Sequence, residues 1–272
     1  MRIWLAGSIL AVVAALVFCP VVEGQTAQQS GASRAAPDLS GFWSRPGFYG
    51  EITDAAVNGK PVIPPMQPWA AEAYTAHRRS EQEPVPSSFL DAQGRNKVEM
   101  ALDPTWVVCA PRGFPRLYFG RTAFEIYQVP GRVIQIFEAD RMARIIYTDG
   151  RGHPEGLPLT FLGHSIGRWD GDTLVADTIG LREAHETWLD GVGHPHTEAL
   201  RVVERLRRVG PDALELELLF DDPKAYTKPW GGKTVFSLRP GWELMESHLC
   251  EERIREEIVP EVRRLIQQLS KP

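Results

Sequence analysis

From Phe124 onward the chain is built of short segments in which apolar and polar side chains alternate, each closed by a turn signal. Successive residues of a strand face opposite sides, so alternation of this kind marks strands with one buried face. Phe124 to Val129 and Val133 to Glu138 flank Pro130-Gly131; Arg141 to Thr148 follows; Ser165 to Trp169 and Thr173 to Thr178 flank Asp170-Gly171. Runs around such dipeptides predict hairpins. Glu198 to Val209, Leu214 to Phe220, Thr234 to Leu238 and Trp242 to Cys250 extend the series, with Leu214, Leu216, Leu218 and Phe220 set against Glu215 and Glu217. The pattern predicts about nine strands in an all-β fold, an antiparallel meander closed as a lipocalin-like barrel or folded as a sandwich.

Outside that region the pattern changes. Residues 25–104 are rich in Pro, Gly, Ser and Ala, and 25–36 reads as a disordered spacer. The arm 37–104 carries one helix-permissive run, Gln67 to Arg79, with Pro68 suited to a first helical position. His77, beside Arg78 and Arg79 in that helix, reads as a surface residue. The β domain spans 105–252, and a terminal helix is expected within 253–272, kinked or split at Pro260.

At the amino end, Arg2, the apolar run Ile9 to Phe18 and the small residue Gly24 make 1–24 a secretory signal peptide, which predicts a periplasmic or secreted protein. A lipoprotein signal acylated at Cys19 is the competing reading, weakened by the bulky Phe18 before it. No later segment approaches the roughly 20 apolar residues of a membrane span. Removal of the signal leaves Cys109 and Cys250, which an oxidising compartment would join in a disulfide; two buried free thiols are the alternative.

A formal net charge of -5 gives no electrostatic ground for nucleic-acid binding. Basic residues gather at Arg112 and Arg116 and at Arg205, Arg207 and Arg208, where solvated faces explain them. A phosphate-binding loop, a dinucleotide glycine fingerprint, a nucleophile-elbow serine and a CxxC pair are all missing from the sequence, which removes several enzyme classes.

The candidate chemistry lies in the histidines. Five of the seven fall between His153 and His196, and four of these, His153, His164, His194 and His196, stand beside glycine or proline, which places them on loops and strand ends where binding residues gather. In Gly193-His194-Pro195-His196-Thr197-Glu198, two imidazoles and a carboxylate recur at every second position. On a strand they would share a face, and Leu200, Val202 and Leu206 continue the same inward parity. The predicted metal set is therefore His194, His196 and Glu198, with His164 or His185 as fourth donor and water in an open position. Glu204 is the candidate general base or supporting residue, and His164 completes or orients the shell. Zinc, copper, iron and manganese are not distinguished. Pro195 cannot donate a ladder hydrogen bond, so a strand beginning only at His196 would uncouple His194 from that face; histidines hydrogen-bonded to backbone or carboxylate and binding nothing are the plainer alternative.

Further along, Trp242, Leu244, Glu246, His248 and Cys250 share one parity, so Glu246 and His248 read as an inward ion pair or an acid and base. The loop Asp222-Pro223-Lys224-Ala225-Tyr226-Thr227-Lys228-Pro229-Trp230 would cap the sheet or cover a barrel mouth.

These segments, with Asp38-Leu39-Ser40-Gly41-Phe42-Trp43, Gly163-His164-Ser165-Ile166-Gly167-Arg168-Trp169-Asp170-Gly171-Asp172-Thr173-Leu174-Val175 and Asp190-Gly191-Val192-Gly193-His194-Pro195-His196-Thr197-Glu198-Ala199-Leu200, resemble an abundant family of exported, largely uncharacterised proteins of soil bacteria. The resemblance spans nearly all of the mature chain and implies no particular activity. A more distant similarity is to cupins, which also place HxH on a strand, although their glutamate follows at a longer spacing. The leading expectation is an exported metal-dependent enzyme, of hydrolase or lyase type, acting on a small organic molecule. A lipocalin-like carrier of an apolar ligand and an envelope interaction module that uses the Pro-rich arm are the alternatives.

Overall fold

The computed structural model describes residues 36–45, 52–54, 60–82, 103, 105, 110–119, 123–182 and 187–245. All lie in the unit Ala36–Pro272. Cys19, Cys109, Cys250, His185, Glu246, His248, the signal segment and the expected C-terminal helix lie outside the described residues.

The elements in chain order are β1 (Gly41–Ser44), β2 (Thr53–Asp54), β3 (Lys60–Pro61), helix α1 (Pro68–Gln82), β4 (Phe124–Val129), β5 (Arg132–Phe137), β6 (Ala143–Tyr147), β7 (His164–Asp170), β8 (Thr173–Ile179), β9 (Arg201–Arg208), β10 (Ala213–Asp221) and β11 (Trp230–Leu238). One 11-stranded sheet runs β1-β4-β5-β6-β7-β8-β9-β10-β11-β2-β3, and β11 also pairs with β1. With β2 and β3 outside the ring, nine strands close as a barrel rather than a sandwich.

Two features depart from the expected meander. Strands β6 and β7 pair in parallel, Ile146 opposite Ser165, so the connection 148–163 returns along the barrel before β7 begins; parallel neighbours cannot be joined by a tight turn. The closing strand is β1, from the Pro-rich arm, whose Trp43 sits opposite both Leu238 and Phe124. Residues 241–245, where the expected last strand begins, are not in a strand.

The interior follows the two-residue period. Val202, Glu204 and Leu206 of β9, Leu214, Leu216, Leu218 and Phe220 of β10 and Phe236 of β11 all turn inward and are buried. Phe124 and Phe137 meet Tyr118, which a 3₁₀ turn (Arg116–Tyr118) pushes into the barrel. Each fully buried Leu or Phe contributes roughly 1.5–3 kcal/mol. Trp43 is fully buried and donates its Nε1–H to the Leu39 carbonyl at 3.0 Å.

A polar belt crosses this apolar interior. Gln135 and Arg144 are cross-strand partners on β5 and β6, Ser165 and Thr178 on β7 and β8, and Glu204 follows on β9. Arg144 donates from Nε to Ser165 Oγ at 3.1 Å and from Nη1 to Gln135 Oε1 at 3.0 Å and the Tyr118 hydroxyl at 3.3 Å. From Nη2 it donates to Thr178 Oγ1 at 2.9 Å and to the Glu204 carboxylate. These bonds account for the five N–H donors of a guanidinium, and the Phe114 ring lies 3.8 Å from the Arg144 Cζ. The Tyr118 hydroxyl donates to the other Glu204 oxygen at 2.8 Å. Burial, then the Glu204 charge, drives the Tyr118 hydroxyl well above its ordinary range, so the phenol stays protonated.

Candidate active site at the barrel mouth

At the end of the barrel where β10 passes to β11, the segment 187–200 and the loop 222–229 meet α1. The segment that carries His194, His196 and Glu198 is not a strand, because β9 begins only at Arg201. Pro195 lacks the N–H a ladder needs, and Asp222 holds the neighbouring backbone away from the sheet. Its carboxylate accepts from Thr197 N at 2.6 Å, Thr197 Oγ1 at 2.9 Å, and Lys224 N and Ala225 N at 3.2 Å. Tyr226 adds a bond from its hydroxyl to the Pro195 carbonyl at 2.6 Å. The loop 222–229 thus covers the barrel end, with Ala225 and Tyr226 buried.

His194 is buried, and its Nδ1 lies 2.6 Å from Asp190 Oδ2. Asp190 is fully buried and also accepts from the backbone N–H of His194, Val192 and Ile52. Burial would raise its carboxyl, but the His194 charge and these hydrogen bonds outweigh it and hold Asp190 below the usual carboxylate value. Such a carboxylate fixes the imidazole with Nδ1 protonated and leaves Nε2 as the reactive nitrogen. No hydrogen bond to Nε2 is seen among the described residues. The His194 ring stacks on Tyr74 of α1 with centroids 4.3 Å apart and faces Trp230 at 5.6 Å.

One helical turn after Tyr74, His77 reaches the same segment. Its Nδ1 is 2.8 Å from the Gly193 carbonyl, and its ring stacks on Trp188 at 4.5 Å. His77 is therefore half-buried at the mouth rather than a surface residue. Gly193 has φ +92°, and a Cβ there would stand 2.7 Å from the His77 ring, so the close approach of α1 requires glycine. On Trp188, the Arg116 guanidinium lies 5.2 Å from the ring.

His196 is also buried, with Nδ1 3.3 Å from the Thr197 carbonyl. Its Nε2 makes no hydrogen bond of good geometry among the described residues, although the Thr187 backbone also acts on the ring. Burial pushes its pKa down to about 4, so the ring is neutral at pH 7 and offers a lone pair.

The other expected ligands lie elsewhere. Glu198 is exposed and paired with Lys224, which explains its lowered pKa. His164 lies on the outer face of β7, since Ser165 holds the inward parity, and its Nδ1 meets that of His153 at 2.8 Å. Glu204 sits in the polar belt, where both carboxylate oxygens accept from Arg144 and Tyr118. Among the described residues no three His, Cys, Asp or Glu side chains group as a metal site. The four-ligand set built on a common strand face is therefore corrected: the strand starts too late, and His164 has the outward parity. Glu204, expected as a general base or supporting residue, is fully buried in that belt, paired with the Arg144 guanidinium and hydrogen-bonded by Tyr118.

Asp190, Tyr74 and Trp188 were not singled out in the sequence. The one signal for the dyad was the spacing in Asp190-Gly191-Val192-Gly193-His194, where a glycine-rich turn folds a carboxylate back on the imidazole four residues later. No family model, no curated protein and no solved structure matches the chain. Among the described residues, no helix is long and apolar enough to cross a membrane.

Proposed function

We propose that the protein is an exported enzyme of hydrolase or lyase type acting on a small organic molecule, with the Asp190–His194 dyad as its proton-transfer centre. The supporting observation is the 2.6 Å contact between a buried carboxylate and the Nδ1 of His194, with the other nitrogen uncommitted among aromatic rings. In this reading His194 Nε2 takes a proton from water or from the substrate, and Asp190 stabilises the imidazolium that forms. Tyr74, Trp188 and Trp230 supply flat apolar surface for an organic substrate.

A metal-assisted form of the same reading uses a divalent transition ion, zinc, copper, iron or manganese. His194 would bind through Nε2 while Asp190 sets its tautomer, as carboxylates behind metal-bound imidazoles do. His196 would offer its neutral Nε2, for which the lack of a well-formed hydrogen bond there among the described residues speaks. When bound, the ion would lower the pKa of a coordinated water.

The test is turnover by the purified chain on panels of small esters, lactones and β-substituted carbonyl compounds, with elemental analysis of the same samples. Loss of at least 100-fold in kcat in both His194→Ala and Asp190→Asn, with unchanged far-ultraviolet dichroism, supports the reading. Unaltered turnover in His194→Ala refutes it. Saturable ligand binding without turnover would favour the carrier instead, with its ligand at the mouth, since the inward side chains of the barrel pack against one another.

A further inference from the structure

A second pair of histidines lies on the outer wall of the barrel, apart from the dyad. His164 opens β7 and faces outward, its ring stacked on Tyr147 of β6 at 5.4 Å. His153 comes from the connection 148–163, and the two Nδ1 atoms stand 2.8 Å apart. On the far side of the His153 ring, Nε2 is buried with no hydrogen bond among the described residues and lies 3.9 Å from Asp177 Oδ2. Asp177 is fixed on β8 by Arg201, whose Nε donates to it at 2.8 Å.

We infer that His153 and His164 form a binding site for a divalent transition-metal ion, selective for copper(II). Two nitrogens bound in cis positions at about 2.0–2.1 Å, with an angle near 90°, stand about 2.9 Å apart; tetrahedral ligands stand about 3.3 Å apart. The observed 2.8 Å spacing, held at present by an N–H···N hydrogen bond, lies nearer the cis value than the tetrahedral one, and copper(II) also binds nitrogen donors more tightly than zinc. The protons also balance. In the pair as it stands, one Nδ1 carries the hydrogen and the other accepts it. Binding of the ion needs both Nδ1 lone pairs, so each ring then carries its proton on Nε2. For His153 that atom faces the Asp177 carboxylate at 3.9 Å, beyond hydrogen-bond reach, so the carboxylate acts on the ligand from behind through its charge. Both imidazoles are only partly buried, which leaves water to complete the coordination shell.

The experiment is calorimetric titration of the chelator-treated full chain with copper(II) chloride and zinc chloride, beside electron paramagnetic resonance of the copper form. One equivalent of copper that depends on His153 and His164 should bind with hyperfine structure from two nitrogens, at least tenfold more tightly than zinc, whether or not a second ion binds at the mouth. Affinity should fall at least tenfold in His153→Ala and in His164→Ala, and several-fold in Asp177→Asn, which keeps both ligands. Near-ultraviolet dichroism checks that each variant is folded. Absence of saturable copper binding, or binding unchanged in both alanine variants, overturns the proposal. Loss of the copper signal in His194→Ala alone would move the ion to the mouth and overturn it equally.

Discussion

The polar belt inside the barrel and the histidine cluster at its mouth are both buried, both built on a carboxylate, and opposite in their hydrogen bonding. In the belt Arg144, Glu204, Tyr118, Gln135, Ser165 and Thr178 use one another completely: the guanidinium's donors and both carboxylate oxygens are taken. At the mouth Asp190 is equally well satisfied, yet the imidazole it orients keeps one nitrogen uncommitted, and buried His196 has an Nε2 without a well-formed hydrogen bond among the described residues. A buried polar group left unpaired costs stability. Water, an ion or a ligand can meet such an atom. The belt therefore reads as architecture, and the mouth carries the open nitrogens on which the proposed chemistry rests.

The sharpest way to break this contrast is to remove one charge from the belt. Arg144→Met leaves Glu204 buried with a single donor and should cost about 3–5 kcal/mol in urea denaturation, whereas Arg144→Met/Glu204→Leu should recover much of the loss. A single-variant cost near zero would show that the belt is not the structural element described. Acidification probes the mouth next. His196 is lowered from 6.5 to about 4 in the folded protein, so the unfolded chain binds the extra proton between those values. The stability it contributes is complete above pH 6.5 and drains away as pH falls toward 4, by on the order of 2–3 kcal/mol. His196→Asn should flatten that slope, and an unchanged slope would assign it to another group. The lowered Asp190 adds its own loss only below its ordinary value of 3.8.

A smaller effect tests the seating of α1. Gly193→Ala meets the His77 ring at a positive φ and should destabilise by roughly 1–3 kcal/mol. Adding His77→Ala should relieve the contact but not the backbone strain, so partial recovery is expected; none would mean that the steric contact does not matter. Smallest of all, Glu198→Ala breaks an exposed pair and should leave the melting curve superimposable on the parent, against the role first expected for this residue.

What the sequence made legible follows its periodicity. The strands from Phe124 to Phe220 lie close to their expected positions because alternation and turn dipeptides are local signals. β1 escaped because four residues between Gly and Pro carry too little pattern, and its strand identity comes from distant partners on β4 and β11. The same limit misplaced the site. The spacing of His194, His196 and Glu198 mimics a strand face, but Pro195 and the hydrogen bonds that Asp222 accepts keep the segment in a loop, and Asp222 is too distant in sequence to reveal this by pattern. Arg144 was equally hidden: it shares the inward parity of Ile146, and only the folded barrel brings it Glu204.

The closing strand also bears on how the molecule assembles. Ser44 and Arg239 meet across 195 residues of sequence, so β1 leaves the ribosome early and finds its second neighbour only when nearly the whole barrel has been made. Until then β4 and β11 present open edges, and unpaired edges recruit other chains. Closure is thus a race between a four-residue segment and intermolecular association, and a chain lacking residues 1–45 would leave the β4 edge bare and the β11 edge covered only where β2 pairs with it, and would accumulate as aggregate.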